Sequence, residues 1–166
     1  TNFICKKKLT KISSEILNEN QNNLLTSYPP AFLVNLPRNR RVLYHWHTAK
    51  NAYPKRASYI NFWMPLFVNK KKDNGSLKIA EKSHFNENYP YKEFKDINRY
   101  GKNALTQMLI SNKYINKFKI QTLRCETGSL YGMHKNLIHS STLNKSKNCS
   151  YVLIFKIWTI AKDLTL

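Results

Sequence analysis

The 166-residue chain is poor in glycine (4), proline (6), cysteine (3) and acidic residues (9), and each scarcity excludes something. With so little glycine and proline it is neither a collagen-like nor a linker-rich chain. Cys5, Cys125 and Cys149 form no C-x-x-C pair and leave one thiol over in any disulfide scheme, so a reducing, cytoplasmic setting is expected. No apolar run approaches the roughly 20 residues that cross a bilayer, and the opening TNFICKKKLTK is too short in apolar residues for a signal peptide. A membrane is therefore not an expected partner. The chain begins with Thr1 rather than Met, as a fragment or a trimmed product would.

What is abundant is lysine. Twenty-eight basic residues against nine acidic ones give a net charge of +19, which invites a nucleic-acid reading. The charge is dispersed, however, with one compact run at Lys70, Lys71 and Lys72, and asparagine and isoleucine are plentiful alongside it, as a composition bias would produce. A hydrophobic content of 42% with 13% aromatics is that of a globular chain, and the length allows one domain, residues 1–166.

Apolar spacing predicts a helix over residues 10–25, with Ile12, Ile16, Leu17 and Leu24 on one face and Ser13 or Ser14 as its cap, within an N-terminal helical segment 1–30. Beyond Pro29-Pro30 the pattern turns strand-like: AFLVNLP, RRVLYHWH, SYINFWMPLFV and SLKIA, the last two joined by a turn at Lys72-Asp73-Asn74-Gly75. Residues 85–112 are polar and tyrosine-rich before ALTQMLI, and are read as a helical insertion. Strands return with KIQTLR, SLYGMH and SYVLIFKIWTI, the longest apolar stretch and so the expected central strand. Six to eight short strands with peripheral helices predict a mainly β jelly roll.

Of five histidines, His45 and His47 are one residue apart on a segment read as a strand, where alternation puts both rings on one face. His139 follows about ninety residues later. His84 and His134 are read as structural or surface residues, and Cys149 as an unreactive thiol.

These residues carry a resemblance. Trp46-His47-Thr48-Ala49, Trp63-Met64-Pro65-Leu66, Asn74-Gly75-Ser76-Leu77, Ser83-His84, Gly128-Ser129-Leu130 and His139-Ser140-Ser141-Thr142-Leu143-Asn144-Lys145-Ser146 follow one another as in the phytanoyl-CoA dioxygenase family, over about residues 31–158. The resemblance implies a double-stranded β-helix (jelly roll, cupin-like) and an Fe(II)/2-oxoglutarate-dependent oxygenase acting on a small molecule. It also implies that His47 and His139 are metal ligands, with open positions on the iron for the co-substrate and oxygen. Trp63 and Ser141 would line the 2-oxoglutarate pocket.

The chain departs from that pattern twice. The acid expected two residues after the first histidine is Ala49, and the arginine expected eleven residues after the distal histidine is Ser150. A serine cannot replace the bidentate charged pairing that arginine gives a carboxylate. Three readings follow. The scaffold has lost its chemistry; or the ligand set has changed; or the fold serves as a basic binding module. The second covers a halide in the vacated position, as in the related halogenases, or His45 as a third ligand, as in cupin-type thiol dioxygenases. In it Lys156, of the same strand parity as Ser150, or Arg124 would supply the missing cation. The third would use Arg38, Arg40, Arg41, Lys55 and Arg56 around Tyr44 and Tyr53 to contact nucleic acid or an acidic partner.

Overall fold

The computed structural model describes residues 4–27, 29–40, 43–49, 58–67, 75–86, 88–95 and 106–159. Strand β10 (Ser150–Thr159) is the centre of the larger sheet, as its apolar length predicts. One edge pairs antiparallel with β3 (Tyr59–Phe67) from Trp158↔Tyr59 to Ile154↔Trp63 and on to Val152↔Pro65. The other edge carries β2 (Ala31–Asn35) and then β1 (Leu24–Thr26) end to end. Strand β8 (Tyr131–His134) closes the far side of β3. The smaller sheet runs β7 (Ile120–Thr122), β4 (Leu77–Ala80), β9 (His139–Ser141). Two facing sheets of antiparallel strands give the jelly roll that the strand pattern predicts.

The two faces of β3 and β10 do different work, as a period of two dictates. Ile60, Phe62, Phe155 and Ile157 face outward and pack with Leu9 and Leu17 of helix α1 (Ile4–Leu17). Trp63, Val152 and Ile154 face inward, where Leu77, Met133 and Leu137 meet them. Burying four such side chains under α1 is worth several kcal/mol at about 1.5–3 kcal/mol each.

Three expectations need correction. The N-terminal helix runs Ile4–Leu17 rather than 10–25: Ser13 lies fully buried in its middle instead of capping it, Leu24 is in β1, and Ile12 and Ile16 are exposed. Leu9 and Leu17, eight positions apart and half-buried, form the stripe that packs on the sheet. Second, within 85–112 the residues ALTQMLI supply a strand, β6 (Thr106–Ile110), paired antiparallel with β5 (Tyr91–Lys95). Seven residues are too few to hold a helix unaided, and the Ile110 amide donates to the Trp46 carbonyl at 2.9 Å, which ties the ribbon to the small sheet. Among the described residues the α-helix there begins at the end of the segment, the single turn α2 (Asn112–Ile115) capped by Ser111. Third, the described part of RRVLYHWH departs from the expected strand: Leu43–Trp46 is irregular and His47 forms a single β-bridge, while Arg41 and Val42 lie outside the described residues. Of the expected turn, Gly75 is described, at φ +83° as such a turn requires, and residues 72–74 lie outside the described residues. No described helix is long and apolar enough to cross a membrane.

Candidate metal centre

His47 and His139 are directly opposite each other. The amide of each donates to the carbonyl of the other at 3.0 Å, extending the small sheet past β9 by one residue. Opposed residues of an antiparallel pair present their side chains to the same face, so the two imidazoles lie side by side with ring centres 4.3 Å apart and planes at 53°. Each ring is fixed by the same device. His47 Nδ1 donates to the His45 carbonyl at 2.6 Å, and His139 Nδ1 to the Leu137 carbonyl at 2.9 Å. A carbonyl only accepts, so Nδ1 carries the proton and Nε2 the lone pair, the tautomer that ligates a metal.

Burial keeps both rings neutral. It lowers the His47 pKa to about 3, reinforced by His139 alongside and, less strongly, by His45 and Lys156, against the pull of the His45 carbonyl. Burial lowers that of His139 as well, with Lys156 adding to the effect and the Leu137 carbonyl opposing it. Two imidazoles bound to one ion through nitrogen at about 2.1 Å and about a right angle would hold their centres about 4.5 Å apart, close to the 4.3 Å found. The histidines therefore fit one metal ion. A third ligand is not beside them: no group of three or more His, Cys, Asp or Glu side chains able to hold a metal occurs among the described residues. His45 is exposed, because the irregular chain at Leu43–Trp46 breaks the alternation that would have aligned it with His47; its carbonyl, not its ring, serves the site. At Ala49 the backbone carbonyl accepts from the Tyr59 hydroxyl.

The residues expected around 2-oxoglutarate are placed unevenly. Trp63 is buried in the apolar cluster. Ser141 shares the inward face of β9 with His139, and its Oγ bonds the Tyr44 amide at 2.6 Å and the Tyr44 carbonyl at 3.3 Å. Ser150, at the start of β10, is 1% exposed. Lys156 does face the interior, opposite Asn61, with its Nζ 5.8 Å from the centre of the Tyr59 ring. Six residues of extended strand put it about 20 Å from Ser150, so it does not stand in for an arginine there. Arg124 is exposed, since the flanking Leu123 and Cys125 take the inward positions. The interior thus presents two histidine nitrogens and the Lys156 ammonium, and holds Ser150 where the resemblance expects an arginine.

Other motif residues are structural. The Ser83 hydroxyl accepts from the Ile138 amide at 2.9 Å, while His84 stacks on Phe85 and lies near His134. Asn144 donates to the Asn35 and Asn148 carbonyls at 2.9 and 2.8 Å and accepts from the Ser146 amide and hydroxyl at 3.0 and 2.7 Å, so Asn-x-Ser staples the loop before β10. Cys149 is half-buried with a free thiol, as is Cys125. Of the basic surface expected around exposed aromatics, Tyr44 is half-buried 5.5 Å from the His47 ring. Arg38 and Arg40 are exposed, and Arg41, Tyr53, Lys55 and Arg56 lie outside the described residues.

Two inward residues were not singled out in the sequence. Tyr59 and Asn61 alternate with Trp63 on the interior face of β3. Asn61 Oδ1 is buried with no hydrogen-bond partner, in a side chain 5% exposed. A polar residue at an inward strand position between two aromatics was the available signal.

The same fold belongs to known proteins. EvdO2 from Micromonospora carbonacea var. aurantiaca, complexed with 2-oxoglutarate, superposes with a TM-score of 0.71 at 12% identity over 96% of this chain and 62% of its own. The nogalamycin epimerase SnoN, in complex with Fe3+, alpha ketoglutarate and nogalamycin RO, gives 0.62 at 11% identity, over 89% of this chain and 54% of its own. The alpha ketoglutarate dependent carbocyclase SnoK gives 0.61 at 12% identity, over 91% and 54%. The chain thus spans less than two thirds of the length of these structures. No curated protein sequence matches it. The family model for Phytanoyl-CoA dioxygenase (PhyH) matches residues 2–149. With the jelly roll, the paired histidines and this match in agreement, the chain belongs to the phytanoyl-CoA dioxygenase family of iron- and 2-oxoglutarate-dependent oxygenases.

Proposed function

We propose that this chain carries an iron site with an altered ligand set and that it oxidises a small molecule at the expense of 2-oxoglutarate. The observation behind the reading is the His47–His139 pair: two neutral rings, each locked in the ligating tautomer by a backbone carbonyl two residues upstream. A folded domain that kept these rings only for packing would have no need to fix both lone pairs side by side. Bound iron supplies the redox chemistry of the family, activating oxygen with the 2-oxo acid as co-substrate. The chain itself holds the two nitrogens, excludes bulk water with Trp63, Met133, Val152 and Ile154, and sets position 49 through Tyr59. Among the described residues no third protein ligand stands beside the two histidines, and 2-oxoglutarate is held without the charged pair that an arginine at 150 would give, so its affinity is low.

A second reading, a halide at the open position, is favoured by the local charge. The interior holds the Lys156 ammonium and, among the described residues, no carboxylate beside the histidines to balance an iron ion. The free thiols at Cys125 and Cys149 suit a reducing, cytoplasmic compartment.

Anaerobic titration with Fe(II) and then 2-oxoglutarate, followed by the visible metal-to-ligand band with and without chloride, tests both. A band in the native protein that is lost in His139→Ala supports the reading, and its dependence on chloride selects the halide version. Appearance of the band only in an Ala49→Asp, Ser150→Arg double variant would mean that the scaffold has lost its chemistry.

A further inference from the structure

The chain that carries His47 is irregular from Leu43 up to the histidine itself, so that stretch has no strand of its own to hold it. The polar groups of such a segment must find partners elsewhere. One of them, the His45 carbonyl, has to stay 2.6 Å from His47 Nδ1 for the ring to keep its tautomer. Two attachments to β9 hold the segment in place. At its downstream end His47 and His139 exchange both amide-to-carbonyl bonds. At its upstream end the Ser141 amide donates to the Tyr44 carbonyl at 3.0 Å, but the return bond is of a different kind. The Tyr44 amide donates at 2.6 Å to the Ser141 hydroxyl oxygen, which also lies 3.3 Å from the Tyr44 carbonyl.

His47 and Tyr44 are three positions apart, whereas His139 and Ser141 are two apart, so one residue is surplus on the His47 side. A surplus residue bows a strand out and breaks its alternation. His45 accordingly turns its ring to solvent and its carbonyl to His47. Across this bulge the backbone of Ser141 serves the Tyr44 carbonyl, and its hydroxyl serves the Tyr44 amide. The same anchorage sets the Tyr44 ring 5.5 Å from that of His47, with the planes tilted by 34°. His139 is fixed independently, because its Nδ1 bonds the Leu137 carbonyl, upstream of β9 and away from Ser141.

We infer that Ser141 is a positioning residue for His47: its hydroxyl pins Tyr44 and thereby holds the His45 carbonyl where it fixes the imidazole with Nε2 free to ligate. The inference deepens the reading of His47 and His139 as metal ligands and rests on it. It gives the hydroxyl a task within the chain, where the family resemblance would turn it to 2-oxoglutarate.

Long-range proton–nitrogen correlation NMR of the metal-free protein at neutral pH reads the tautomer of each imidazole. The native protein should show both histidines in the Nδ1–H form. Ser141→Ala leaves the Tyr44 amide without its acceptor, so His47 should become a mixture of both tautomers while His139 stays as it is. Zn(II) binding to the metal-free protein, measured by competition with a chelating dye, should weaken by about tenfold, as happens when a metal-bound histidine loses its orienting partner. Ser141→Thr, which keeps the oxygen, should restore both readings. A serine that served only stability would loosen both rings or neither. A native His47 without the Nδ1–H form, an unchanged His47 tautomer or Zn(II) affinity in Ser141→Ala, equal loss at His47 and His139, or a Ser141→Thr that behaves as Ser141→Ala would overturn the inference. The tautomers are read without metal. A selective change at His47 together with a missing Fe(II)/2-oxoglutarate band in the native protein would therefore leave Ser141 positioning His47 and remove only the iron reading.

Discussion

Acidification should weaken this fold through the paired interior histidines before its carboxylates protonate. An unfolded histidine titrates near about 6.5, whereas the buried His47 titrates at about 3. Because the folded value is the lower one, the unfolded chain takes up a proton that the fold refuses. Stability is therefore complete above about pH 6.5 and is lost as pH falls toward 3. Between pH 7 and pH 5 an unfolded His47 becomes almost fully protonated and the folded one stays neutral, a difference of about 2 kcal/mol. His139 acts in the same sense, its pKa also being lowered by burial. Domains of this size hold only about 5–15 kcal/mol in total, so the loss is easily seen in urea unfolding followed by tryptophan fluorescence. A His47→Gln variant, without a titrating group at 47, should show a pH 7-to-5 decrease smaller by about 2 kcal/mol. Equal decreases in the variant and the native protein would refute the argument, since His47 would then titrate alike folded and unfolded.

Other expectations are as direct. Fe(II) at a hundredfold excess over its dissociation constant should stabilise the native protein by about 2.7 kcal/mol and leave His139→Ala unmoved, which thermal denaturation under anaerobic conditions reads. Ser150→Arg should raise the affinity for 2-oxoglutarate at least about tenfold by restoring a bidentate charged pair; because Ser150 is 1% exposed, the same change should lower stability by about 1–3 kcal/mol. Asn144→Ala should cost about 3 kcal/mol in urea unfolding, since it removes a buried group bonded to Asn35, Ser146 and Asn148, and should leave metal affinity intact. Ile138→Ala, at a fully buried position beside His139, should cost about 2–5 kcal/mol.

The sequence was most legible where one physical rule acted alone. Short runs bounded by turn residues located β3, β4, β8 and β10, and the apolar length of SYVLIFKIWTI placed β10 at the centre, because a strand covered on both faces has no reason to alternate. It failed where a distant partner outweighed the local pattern. ALTQMLI has helical spacing but pairs with YKEFK, and LYHW reads as a strand but is irregular up to a single residue that meets β9. At the site, the spacing of motifs identified His47 and His139 as a pair. The hydrogen bonds that fix their tautomers involve carbonyls, which no side-chain pattern reveals. The reach of Lys156 toward the histidines rather than Ser150 follows only once both sheets are in register.

The position of β10 has a consequence for how the protein is made. Its partners β1, β2 and β3 all precede it by 80 residues or more, as Trp158↔Leu25, Leu153↔Phe32 and Ile154↔Trp63 show. Until that strand leaves the ribosome, β2 has no neighbour on its inner edge and β3 lacks its partner on one edge. The nascent chain must carry this unclosed sheet until β10 is made, and pairings at such sequence separation form slowly once they are possible. Chaperone demand during translation should therefore concentrate before residue 150 and fall once β10 slots between its neighbours.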